Sequence, residues 1–401
     1  MTDCYYRKRK NIFMSRRTKI MKKRVLAVLL GGCMVAGLLA GCGGSSSSSS
    51  SDSSSDSAKS DGDSGKGYHF EVVVKSFQSS YWQAAVQGIE QAQDELGVTT
   101  NTTGPNAESD IADQVNMLNN AINQNPDGIA LAACDQNSVI EALQSAKDKG
   151  IPVVCFDSGV PDAPEGSVYA TVVTDNGGAG AIAADKIYEA VKDKIAKADG
   201  QVRVGEVNQD ATSANITERG MGFVNRFIEL AKEDGKTCAV VGNDYYVNLV
   251  KDNGDAKKAD IIIEVAVPAQ TTVELCATEA SNIMNKNDTI AMFGSNQVSA
   301  EGLLTANQNL NVLGSDVEKN IIAAGFDAGS TIKAAVKDGT LIGAVTQSPL
   351  MQGKISIETL YDICEGKEVK DVQTDGYWYD STNMDDADIS QIGRASCRER
   401  V

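Results

Sequence analysis

A single histidine, His69, serves the whole 401-residue chain. It opens an apolar strand, far from the expected strand-end rim, so Ser–His or Cys–His catalysis and histidine-based metal sites have no imidazole to use there. C-x-x-C spacing, a G-x-S-x-G elbow and a phosphate-cradling glycine loop are missing too, which removes the motif-borne metal, acyl-transfer and nucleotide chemistries. Aromatics make up only 5% of the residues, with two tryptophans, so an aromatic pair among polar residues stands out. Positive charge is also short, at 37 Lys/Arg against 54 Asp/Glu. Residues 1–42 carry ten Lys/Arg and one acid, and the last ten residues carry three Arg and one Glu, which leaves a formal charge of −28 on the remainder. So acidic a surface argues against nucleic acid or anionic lipid as a partner.

No apolar run is long and unbroken enough for a good membrane span. The nearest is Met21–Cys42, MKKRVLAVLLGGCMVAGLLAGC, with a basic start, an apolar stretch and small residues before a cysteine. That order marks a secretory signal. Its ending, LLAGC, resembles a lipobox, which implies lipidation of Cys42 and a body anchored at the cell membrane on the extracellular or periplasmic side. Residues 1–20 precede the natural signal start and read as an upstream start codon assigned in error. Residues 43–67 are rich in Ser, Asp and Gly, cannot bury a core, and read as a flexible tether. Residues 392–401, IGRASCRERV, break abruptly from the acidic sequence before them and read as one translated frame of a sequencing adapter. The substrate-binding body is therefore expected over residues 68–391.

Nine cysteines shrink to five once Cys4, Cys33, Cys42 and Cys397 are set aside with the flanks. Cys134, Cys155, Cys238, Cys276 and Cys364 form an odd set and read mostly as small buried apolar residues. Cys134 and Cys155 each follow an expected strand, which leaves a bridge between them open.

The stretch around which the body is organised is Val72–Gly97, VVVKSFQSSYWQAAVQGIEQAQDELG. A short apolar strand turns on Gln78, Ser79 and Ser80, and Ser80 with Gln83 fits a capping box. Trp82, Val86, Ile89 and Leu96 then follow at helical spacing, with Gly97 as the stop. Tyr81 and Trp82 thus sit where a strand hands over to a helix, the rim at which open α/β sheets bind ligands. Strand and helix go on alternating. Strands are expected at Gly128–Ala133, Ile151–Phe156, Tyr169–Val173, Val202–Val207, Ile261–Val267, Thr289–Phe293, Ile321–Gly325 and Leu341–Thr346. This rhythm predicts an α/β fold of two similar doubly wound parallel-sheet lobes. The charged, irregular passage Glu233–Asp260 reads as an insertion, and Trp378 in GYWYD as packing at the lobe hinge.

The strand-end segments GIPVVCFDS, VVTDNGGAGAIAA, TSANITERGMGF, AMFGSNQVSAEGLL, IIAAGFDAGS and GAVTQSPLMQGK, with SSYWQAAVQGIEQAQDELG, resemble the ribose-binding group of type I periplasmic substrate-binding proteins for ABC sugar importers. The resemblance covers about Phe70 to Val372. It implies a multi-strand hinge, with lobe 1 over about 68–174 and 348–376 and lobe 2 over about 175–347 and 377–391. It also implies that Tyr81 and Trp82 stack on a sugar, that Asp157 accepts from its hydroxyls, and that Arg219 reaches the ligand from the second lobe. Asn296, Asp327 and Gln347 match the remaining polar contacts, and Thr174, at a crossing between lobes, matches one more. A monosaccharide, ABC permease subunits and the membrane are then the partners of a monomeric body, with no catalysis, cofactor or metal.

The chemistry suits a sugar on its own terms. Rings match the C–H faces, while carboxylates, amides and a guanidinium match the hydroxyls. The resemblance has gaps: Ala132 replaces an asparagine, Ser158 an arginine and Thr271 an aromatic, which favours a hexose over ribose. Other readings of the residues stay open at this stage. Asp157 and Asp327 could cap helices or serve as the paired carboxylates of a glycoside hydrolase, and a binding body could feed a membrane receptor instead of a permease.

Overall fold

A computed structural model describes residues 67–385. The signal, Cys42, the tether up to residue 66 and the tail lie outside the described residues. The first sheet consists of β1 (His69–Val73), β2 (Thr99–Thr103), β3 (Gly128–Leu131), β4 (Val153–Phe156), β5 (Ala170–Thr174) and β12 (Val372–Thr374). The second holds β6 (Val202–Val207), β7 (Cys238–Gly242), β8 (Ile261–Ala266), β9 (Thr289–Gly294), β10 (Ile322–Phe326), β11 (Gly343–Thr346) and β13 (Tyr377–Tyr379). Their spatial orders are β12-β5-β4-β3-β1-β2 and β13-β11-β10-β9-β6-β8-β7, so the second sheet repeats the first and adds β7 at its edge. Every pairing is parallel except that of β13 with β11. The chain passes between the sheets after β5, after β11 and after β12, and these passages form the hinge. Two doubly wound lobes, as the alternation predicts, are what the sequence makes.

Parallel strands covered on both faces must be apolar throughout, and β3 and β4 are buried at every position. In the second lobe the helices Asn176–Lys197 and Ala214–Glu233 pack on Phe293 and Phe326 through Phe223 and Phe227. Each such ring stabilises the fold by about 1.5–3 kcal/mol relative to exposure. Those two helices touch backbone to backbone. A Cβ at Gly180 would lie 2.0 Å from the Arg219 carbonyl oxygen, and one at Gly222 would lie 2.2 Å from that of Gly177. No helix among the described residues is long and apolar enough to cross a membrane.

Several local expectations change. The cap of the helix Ser80–Leu96 is Ser79, whose Oγ accepts from the Trp82 amide at 3.4 Å, because Ser80 is already helical. Gly97 does close that helix, in the left-handed region at φ 65°. The passage Glu233–Asp260, expected as an irregular insertion, adds ordered structure to the second lobe: it holds β7 and the short helix Asp244–Leu249. Cys134 and Cys155 are both free thiols. Cys155 stands opposite Leu131, three residues before Cys134, so the register keeps the sulfurs unbridged. Trp378 packs on the edge of the second sheet rather than at the hinge. It pairs with Val345, covers Gly343, and donates from Nε1 to Asp380 at 3.0 Å.

Candidate ligand-binding cleft

The C-terminal ends of both sheets face one cavity, as the rule for open α/β sheets requires. Asp157 ends β4 and Asp327 ends β10, which are equivalent strands in the two lobes. Both adopt left-handed backbone, φ 60° and 69°, a conformation that Asp tolerates better than most residues. That turn aims each carboxylate off its strand end, and both are nearly fully buried.

Asp157 is the hub of the first lobe. Its Oδ1 accepts from the Tyr81 hydroxyl, and its Oδ2 lies 3.1 Å from Lys75 Nζ and accepts from Asn215 Nδ2 at 3.1 Å. Lys75 also donates to Asn215 Oδ1 at 3.0 Å. Burial works against the ammonium, but Asp157, Glu108 and Asp210 outweigh it and hold Lys75 above the ordinary lysine value. Burial, then the neighbouring Asp157, pushes the Tyr81 phenol well up, so it stays a donor. The two aromatics meet edge to face, 5.1 Å between centroids, and Trp82 leans on Phe156 in the same way. Trp82 Nε1 donates to Glu108 Oε1 at 2.8 Å, and Gln209 of the second lobe donates to Glu108 Oε2 at 2.7 Å. Burial raises the Glu108 carboxyl, with Lys75 and these donors opposing.

In the second lobe Arg219 reaches in from the helix Ala214–Glu233. Its Nη1 donates to the Ser295 carbonyl at 2.9 Å, its Nη2 to Asn176 Oδ1 at 2.6 Å, and its guanidinium lies 3.7 Å from the Phe326 ring centre. Such stacking, when desolvated, contributes about 2 kcal/mol. Nε is buried without a hydrogen-bond partner. Burial lowers the Arg219 pKa, against the pull of Asp327 and Asp157. Asp327 accepts from Gln347 Nε2 at 2.9 Å and from the Gln297 amide at 3.0 Å, while burial pushes its carboxyl up. Asn296 caps the helix Gln297–Leu310 through Ser299 and donates from Nδ2 to Gln209.

Tyr81, Trp82, Asp157, Arg219, Asn296, Asp327 and Gln347 thus line one space of about 30 Å³. Thr174 does not. It is a hinge residue, donating to Gln347 Oε1 at 2.8 Å and accepting from Gln352 Nε2 at 2.7 Å. Lys75, Glu108, Gln209 and Asn215 also line the cavity, and sequence reasoning missed them. Asn215 lay inside the quoted segment TSANITERGMGF, whereas Lys75 reads as a solvated strand end and Glu108 as a loop acid. Ala132 and Ser158 are fully buried behind the wall, and the Ser158 hydroxyl has no hydrogen-bond partner.

Two α/β lobes closing on a cavity of paired carboxylates, amides, an arginine and two rings define a solute-binding protein. The periplasmic binding protein domain matches residues 70–368, so the chain belongs to that family. It is 25% identical over 311 residues to the ribose import binding protein RbsB of Bacillus subtilis, covering 78% of this chain and 86% of that one. An ABC transporter, LacI family transcriptional regulator from Brachyspira murdochii superposes with a TM-score of 0.67 at 33% identity, covering 81% of this chain and 98% of the other. A solute-binding protein from Agrobacterium vitis with bound D-fucose gives 0.66 at 26%, covering 80% and 98%. The family is that of sugar-binding proteins of ABC transporters.

Proposed function

We propose that this chain captures a monosaccharide by closing its lobes and delivers it to an ABC importer, as a monomeric body anchored by a lipid on Cys42. The observation that carries this reading is the contribution of both lobes to one polar cavity: Asp157 and Lys75 from the first, Arg219, Asn215 and Asp327 from the second. All are acceptors or donors for hydroxyls, and charge-assisted hydrogen bonds in a closed, dry site are about twice as strong as neutral ones. Closure is what makes such a site dry. A hexose is favoured over ribose in this reading, because Lys75, Glu108, Gln209 and Asn215 line the cavity as additional hydroxyl partners. Binding rather than hydrolysis suits the two aspartates. Asp157 is tied to Lys75, Tyr81 and Asn215, and Asp327 to Gln347 and a backbone amide. A thermal-shift screen against monosaccharides tests the reading. A sugar bound only by the folded form adds about 2.7 kcal/mol at a hundredfold excess over its dissociation constant. A stabilising hexose supports the reading, ribose outperforming every hexose overturns the hexose preference, and no shift with any sugar removes the reading.

A further inference from the structure

The inner cavity is not the whole cleft. Beside it lies a chamber of about 570 Å³, between Ser76, Gln78–Ser80 and Asn106–Glu108 of the first lobe and Thr271–Val273, Gln297, Glu301 and Ser330 of the second. Ser79, Glu108, Gln297 and Val298 line both spaces. Beside them Ser80 Oγ donates to Gln297 Oε1 at 3.1 Å, which joins the lobes, and Gln297 Nε2 donates to Glu301 Oε1 at 3.0 Å.

The outer chamber has the size of a ligand pocket, for which roughly 300–1,000 Å³ is usual, and a definite chemistry. Its apolar lining is limited to Ala107, Val273 and Val298, and no aromatic ring faces it. The remainder carries hydroxyls, amides and carboxylates, which pair with hydroxyls. Its charged lining residues are Glu108 and Glu301, and no lysine or arginine lines it. A phosphate or carboxylate placed there would meet like charge.

We propose that the cleft takes a neutral disaccharide, with one sugar residue between the lobes at the inner cavity, which widens as they part, and a second, hydroxylated residue in the outer chamber. This rests on the sugar-binding reading above and specifies its ligand further.

The test is calorimetric titration of the protein with glucose and galactose, with maltose, cellobiose and lactose, and with glucose 6-phosphate. At least one disaccharide should bind within tenfold of its own monosaccharide or tighter, and glucose 6-phosphate more than tenfold weaker than glucose. Ser330→Trp and Asn106→Trp fill the outer chamber from exposed positions on opposite lobes. Each should weaken the disaccharide at least tenfold and change monosaccharide affinity less than threefold. Monosaccharide binding with every disaccharide more than tenfold weaker overturns the proposal alone. So does a loss in the tryptophan variants that is equal for both ligands. If no sugar binds at all, the sugar reading falls and this proposal with it.

Discussion

Asn215 offers the sharpest perturbation of closure. It sits in the first turn of the helix Ala214–Glu233 on the second lobe, and both its side-chain partners belong to the first. It accepts from Lys75 Nζ at 3.0 Å and donates to Asp157 Oδ2 at 3.1 Å, and it is 5% exposed. Hydrogen bonds to charged groups contribute about 1.5–3 kcal/mol each. Asn215→Ala removes both, and water entering the space returns part of the loss, so one bond's worth is the working figure. Closure is then weaker by about 1.5–3 kcal/mol, and the dissociation constant of a ligand held by the closed form rises roughly 10- to 150-fold. Lys75 and Asp157 keep each other, so unfolding in urea should change by less than about 1 kcal/mol, the size of a typical single substitution. Titration calorimetry reads the affinity and small-angle scattering reads the opening. Affinity within threefold of the parent, together with a large loss of stability, would refute a closing role for Asn215.

Glu206 lies fully buried on β6, with neither carboxylate oxygen hydrogen-bonded. Burial raises its pKa well above the carboxylate range, and nearby Asn208 offsets only part of this. The folded state therefore holds the proton longer than the unfolded state, and the parent loses stability as pH rises from about 4.3, the unfolded value. Glu206→Gln should gain about 1.4 kcal/mol per pH unit above that point until the native carboxyl ionises, and nothing below it; a gain independent of pH in urea unfolding refutes this. Gly180→Ala drives a methyl into the Arg219 carbonyl, so stability should fall by about 1–3 kcal/mol and sugar affinity with it; an unchanged midpoint in thermal unfolding counts against the tight crossing. Cys42→Ala should release the chain from the membrane fraction into the soluble one, because stable anchoring needs the acyl chains; fractionation that still finds it firmly bound places the anchor elsewhere.

The sequence made the architecture legible because buried parallel strands leave short apolar runs, and each run here ends on a polar cluster. The aspartates at the ends of β4 and β10 were visible for that reason, as were the rings that follow β1. Edge elements were not. β7 is half-buried and lies amid lysines and aspartates, while β12 and β13 have three residues each, too few for any period to register. Lys75 illustrates the other gap. A lysine after VVV reads as solvated, and only the fold brings Asp157, eighty-two positions later, to within 3.1 Å of it. Thr174 failed differently: its place at the crossing was readable, but its hydroxyl turns to Gln347 and Gln352 inside the hinge.

Sugar recognition by a cavity that both lobes complete is tested most directly by the dissociation constant of the tightest-binding sugar for the parent and for Arg219→Ala, measured by titration calorimetry. Arg219 is buried, leaves Nε without a partner, and reaches the cavity from the second lobe. Losing a charged donor in a dry site costs roughly 1.5–3 kcal/mol. A dissociation constant about ten- to 150-fold higher is therefore expected, while an unchanged one would contradict a two-lobed sugar site.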